Sequence, residues 1–145
     1  MHPELRRLRR LQRLEQVRAI AKQAAAQDAA QAETTLQQLR GLAERTRSLA
    51  DGYDVRSLAA DGLALRQLGS FVAGLSGISA STERDATQAQ SLADRKQHEL
   101  VLAERARAAV ETRAAGQAQT LALRLAEPVL GARRAVGAAL GTGLE

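Results

Sequence analysis

The chain has 145 residues, which is one domain or one extended element. Apolar residues, mainly Ala and Leu, make up 45% of it, but aromatics only 1%, so the bulky anchors of a compact core are missing. The formal charge is +5 and cysteine is absent, which removes any disulfide framework or thiolate chemistry and fits a reducing cytoplasm.

Proline occurs only at Pro3 and Pro128. A chain rich in Ala, Leu, Arg, Gln and Glu with so few breakers points to long helices or a coiled coil, and away from a β or α/β fold. The segment MHPELRRLRRLQR, residues 1–13, carries Arg6, Arg7, Arg9, Arg10 and Arg13 against Glu4, so most of the net charge sits there. A charged amphipathic pattern follows, where a secretory signal would have an apolar run.

The first helix is expected over about residues 4–50. Its stripe takes Leu5, Leu8, Leu11, Leu14 and Val17, then Ala21, Ala24, Ala25, Ala29 and Ala32, then Leu36, Leu39, Leu42 and Leu49. The alanines would let a partner helix approach closely. Asp51-Gly52 supplies a C-cap in which Gly can turn left-handed, and DGYDVRSLAA, residues 51–60, forms the connection with Tyr53 in it.

The second helix is expected over about residues 61–127, ended by Pro128. Its stripe takes Leu68, Phe71, Val72, Leu75 and Ile78, then Ala89, Leu92, Ala93, Leu100, Ala103, Val110, Ala114, Leu121 and Leu125. Thr82 with Asp85 three residues on has the form of a capping box, but a continuous arm, bent at most, is favoured over a true turn at Gly77–Ser81. The longest uncharged run, Gln67 to Thr82, has 16 residues and is too short and too polar to span a bilayer. Residues 128–145 hold four of the eleven glycines and read as a flexible or weakly helical tail.

Two long amphipathic arms with one short connection favour an all-α, antiparallel two-helix coiled-coil hairpin. Irregular heptads are expected, with Lys96 and Arg107 at or beside the seam.

Catalytic and cofactor chemistry finds no foothold. Gly69 and Gly74 are followed by Leu75 and Ser76, not by the Lys-Ser/Thr pair of a phosphate loop. His2 and His98 lie far apart without Cys, which makes no zinc pattern. The acidic residues are scattered as on solvated helix faces. We expect no enzyme, no metal and no cofactor, and two surfaces remain.

One is the arginine-rich start, which fits a protein partner better than an anionic membrane or nucleic acid; the latter would call for interleaved aromatics or a helix-turn-helix spacing. The other is Leu39, Leu42, Phe71, Leu75 and Ile78, close to the connection. Phe71, Leu75 and Ile78 follow at i, i+4 and i+7. These side chains can pack across the hairpin, but two helices cannot bury so broad a stripe, and an exposed apolar cluster marks a binding site.

AETTLQQL at residues 32–39, FVAGLSGI at residues 71–78 with its Phe-x-x-x-Leu-x-x-apolar spacing, and RKQHELVLAERARAAVETR at residues 95–113 together resemble the FliJ family of flagellar type III export proteins. The resemblance covers roughly residues 5–125. It implies an antiparallel coiled coil like the stalk of rotary ATPases, which promotes hexamer assembly by the export ATPase, contacts the membrane-embedded export gate and handles export chaperones. It also implies a cytoplasmic protein working at the inner face of the inner membrane.

By motif position, Leu39, Phe71 and Leu75 carry over to the gate-contacting patch, joined by Leu42 and Ile78. The end carrying Arg6, Arg7, Arg9, Arg10 and Arg13 would enter the ATPase ring. The family often has aromatics where this chain has Leu42 and Thr46. A virulence-secretion stalk and a generic scaffolding coiled coil are the alternatives.

Overall fold

His2 starts the first helix. Its imidazole Nδ1 accepts a hydrogen bond from the Glu4 amide at 3.3 Å, which satisfies one of the free N–H groups of the first turn. Pro3 follows at the position where a missing N–H costs nothing. In a computed structural model of the protein, helix α1 spans Pro3–Arg56 and helix α2 spans Gly62–Leu140. The structure describes the backbone of residues 2–56 and 62–140, and the side chains of residues 2–53 and 62–127.

The fold is all-α, two long helices packed antiparallel. Cross-helix contacts set the direction: Arg47 pairs with Glu83 and Arg40 donates to Gln90, so numbers rise along one helix as they fall along the other.

Two expected boundaries differ. Helix α1 does not stop at Asp51-Gly52. It runs on to Arg56, and no described glycine takes a positive φ. The expected connection therefore shrinks, and its residues 57–60, with Asp61, lie outside the described residues. Helix α2 does not end at Pro128 but continues to Leu140; a proline deletes one rung of the ladder yet keeps a helical φ. Residues 141–145 of the expected tail lie outside the described residues. At Gly77–Ser81 α2 is continuous. The Thr82 hydroxyl donates to the Ile78 carbonyl at 2.8 Å, the bond of a residue inside a helix and not of a cap.

Packing divides into two units, Ala24–Val101 and Met1–Gln23 with Leu102–Glu145. In the Ala24–Val101 unit the α1 seam is Ala29, Ala32, Leu36, Leu39, Ala43, Thr46, Ala50 and Tyr53. The α2 seam is Leu68, Val72, Leu75, Ser79, Thr82, Ala86, Ala89, Ala93, Lys96 and Leu100. Both sets step strictly by four and three. The heptads are thus regular in spacing, and only their composition is irregular: Lys96 sits at a seam position, as do Ser79, Thr46 and Thr82.

Among the described residues Leu36 is the one large side chain that is fully buried, 1% exposed, in a cluster with Ala32, Ala89 and Ala93. The alanines that would admit a partner helix admit α2 itself. Thr46 bonds the Leu42 carbonyl at 2.8 Å, and the buried Ser79 hydroxyl points at the Ala43 carbonyl across the pair, at a long 3.5 Å.

In the other unit the α1 seam is Glu4, Leu8, Leu11, Glu15 and Lys22, facing Ala103, Arg107, Val110, Ala114, Gln117 and Leu121. The expected leucine stripe survives only in part, at Leu8, Leu11 and Leu121. Leu14 and Val17 are exposed, and so is Leu125 on α2. A three-residue repeat falls 60° short of a full turn at each step, so five such residues sweep around the helix instead of holding one face.

Arg107 grips the Glu104 carboxylate with two hydrogen bonds, 2.8 and 3.0 Å, and donates a third to Glu111 at 2.8 Å, while Lys22 reaches Glu104 from α1 at 2.9 Å. These bonds, Arg107 first and Lys22 next, hold the Glu104 carboxyl at about 2, well below its usual 4.5. They also push the Arg107 guanidinium higher, Glu104 being the main cause.

A lowered carboxyl pKa contributes stability above about pH 4.5 that is lost as pH falls through about 2. Glu104→Gln should therefore lower the thermal midpoint most near neutral pH, with the difference from wild type closing by about pH 2. A difference that stays constant from pH 7 to pH 2 would show that the carboxylate charge contributes nothing.

Candidate partner-binding surfaces

In a heptad the positions just outside the seam form two flanks, one following each d residue and one preceding each a residue. In the Ala24–Val101 unit the first flank is polar. It holds Arg40 with Gln90 and Arg47 with Glu83. The second carries Leu42 and Leu49 from α1 and Phe71 and Ile78 from α2, all four exposed. Flanks of a coiled coil ordinarily carry charge, so four large apolar side chains on the same one leave a ridge that the two helices cannot cover.

The five residues expected to form one patch fall into two roles. Leu39 and Leu75 are seam residues, half-buried between the helices. Leu42, Phe71 and Ile78 lie outside it, 44%, 51% and 55% exposed. One helical face spans more than 100°, and the seam takes only the part pointing at the partner helix, which separates Leu75 from its neighbours at i−4 and i+3.

Two members were missed as site residues. Leu49 lies one heptad beyond Leu42 on the same flank. Tyr53 meets Phe71 edge to face, with ring centroids 5.1 Å apart and an interplanar angle of 86°. Such a pair orients the Phe71 ring while leaving half of it in solvent. The signal was present in the sequence, since Tyr53 continues the seam three residues after Ala50, but an assumed stop at Gly52 hid it.

The surrounding glycines are not there to let α1 close in. A Cβ placed on Gly69, Gly74 or Gly77 would meet nothing within 4 Å. They leave the backbone of this part of α2 bare and low in relief beside Phe71 and Ile78.

Arg6, Arg7, Arg9, Arg10 and Arg13 belong to the other unit and are all exposed. Glu4, the acidic residue among them, is turned into the seam, where Arg124 of α2 pairs with its Oε1 while Oε2 is buried without a partner. That unit holds thirteen Lys and Arg against six Asp and Glu, whereas Ala24–Val101 holds eight against ten. The basic character extends to α2 through Arg105 and Arg113, both exposed.

Among the described residues no three His, Asp or Glu side chains come close enough to hold a metal ion, and no helix is long and apolar enough to cross a membrane. No protein-family model, curated protein or solved structure matches the chain.

Proposed function

We propose that this chain is a non-enzymatic coiled-coil component of the flagellar type III protein export apparatus, a stalk that promotes export ATPase hexamer assembly and couples it to the export gate. The observation that carries the proposal is the exposed apolar flank of Leu42, Leu49, Phe71 and Ile78 beside a charged one. The FliJ-like Phe-x-x-x-Leu-x-x-apolar motif supplies two of these four residues, Phe71 and Ile78. The flank is the docking surface for the gate, with Phe71 as its central anchor and Tyr53 as the brace behind it.

The arginines at residues 6–13 are the ring-entering end, because guanidinium groups pair bidentately with the carboxylates a protein channel can offer. The polar seam residues suit a stalk. Lys22 reaches across the seam to Glu104 of α2, a polar pair of the kind that favours one register in coiled coils. The chain acts in the cytoplasm and reaches the inner face of the inner membrane through its partners, export chaperones among them.

The test is ATP hydrolysis by the cognate flagellar export ATPase titrated with this protein, with ring assembly followed in parallel. Hydrolysis and hexamer content should rise, and the rise should be lost on converting Arg6, Arg7, Arg9 and Arg10 to Gln. No stimulation of a competent ATPase would leave a scaffolding coiled coil. Stimulation only of a virulence-system ATPase would move the stalk to that system.

A further inference from the structure

The outward side of α1 between Arg6 and Ile20 adds to its arginines a feature that the ring-entering role does not require, a run of exposed aliphatic side chains. Arg6, Arg10, Arg13, Leu14, Val17 and Ile20 fall within an arc of about 120° on the side of the helix away from the seam, and each is exposed. Between residues 5 and 27 the only carboxylate is Glu15, and it sits in the seam. The result is a convex face with basic groups over its first turns, aliphatic groups over the next, and no acidic side chain.

We propose that this face docks directly on an anionic lipid bilayer, with Arg6, Arg10 and Arg13 at the phosphate headgroups and Leu14, Val17 and Ile20 at the headgroup–acyl boundary. Two weak signals on one helix face, charge and aliphatic insertion, are what reversible surface binding needs. The unit's excess of seven basic residues supplies the attraction.

Nucleic acid would use the arginines, but it offers nothing to Val17 and Ile20, which are 59% and 68% exposed. A second copy would bring two faces of like charge together. A peptide would find only a shallow, open hollow among Pro3, Arg6, Arg7 and Arg10, whereas a planar lipid surface needs no groove.

The inference is independent of the export role and competes with ring insertion for the same arginines. No ATPase is present in its test, so the two can fail separately. The full chain is sedimented with vesicles of phosphatidylcholine alone and with vesicles that also contain phosphatidylglycerol.

Binding should require phosphatidylglycerol and weaken with salt. Arg6→Gln, Arg10→Gln and Arg13→Gln together should reduce it on the order of a hundredfold. Val17→Ser with Ile20→Ser, which leaves the charge untouched, should reduce it about tenfold. Arg66→Gln with Arg95→Gln, in the other unit, should bind as wild type does. Circular dichroism of each variant checks that the helices persist.

No sedimentation with anionic vesicles at low salt would overturn the proposal. So would a Val17→Ser, Ile20→Ser variant that binds like wild type and is displaced equally by duplex DNA, because the face would then be a general polyanion site.

Discussion

Replacing Leu36 with alanine should lower the free energy of unfolding by about 3 kcal/mol, the largest effect expected of any single truncation in this chain. The reason lies in its neighbours. Leu36 is 1% exposed, and the residues clustered with it are Ala32, Ala89 and Ala93. Alanines have no rotamers with which to fill a vacated volume, so the cavity persists and the full transfer and packing terms are lost. Leu39→Ala, one seam position on but partly in solvent, should cost about 1 kcal/mol by the same bookkeeping. Urea titration followed by circular dichroism at 222 nm measures both. A loss below about 1 kcal/mol at Leu36 would mean that the alanine seam closes up when the leucine is cut, and that this unit is held by backbone packing instead.

The second large effect is on binding and exceeds its cost in stability. Leu42→Ser with Phe71→Ser removes two exposed side chains from the apolar flank. What the fold loses is the edge-to-face contact between Phe71 and Tyr53, about 1 kcal/mol, and the covered part of the two side chains, about as much again. Affinity for the cytoplasmic part of the export gate should fall about a hundredfold, the amount expected when two central anchors contribute over 1 kcal/mol each. Leu39→Ala with Leu75→Ala provides the contrast, because those seam residues should reduce stability first and binding only through it. Isothermal titration beside urea denaturation separates the two. Unchanged affinity for the Leu42→Ser, Phe71→Ser variant, or a stability loss above about 3 kcal/mol, would show that the flank is core and that the gate binds elsewhere.

Both predictions turn on a distinction that apolarity does not make. Leu36 and Leu42 are the same residue six positions apart, yet one is sealed and the other is nearly half exposed. Counting apolar residues at spacings of three and four placed both on one stripe. The strict alternation of four and three separates them, because only a 3.5-residue repeat keeps facing a partner helix over many turns. That repeat runs through Glu4, Glu15, Lys22, Thr46, Ser79, Lys96 and Arg107. Polar residues in it disguise the seam as irregular, while Leu14, Val17, Phe71 and Ile78 outside it look like the seam.

Composition and local pattern by themselves determined that this chain is helical, that it makes two long arms and that they pair antiparallel. Those properties follow from helix propensity, the scarcity of breakers and the need of any amphipathic arm for a partner. The concentration of arginine in residues 1–13 and the singular position of Phe71 were equally legible. Only the tertiary structure decided which apolar side chains are used up by the pairing and which are left over. Burial at a two-helix seam depends on each residue's angle to the other helix, and that angle is set by register, a property of both helices together. Register put the alanines, threonines and charges inside. It left Leu42, Leu49, Phe71 and Ile78 on the outside in one unit, and Leu14, Val17 and Ile20 in the other.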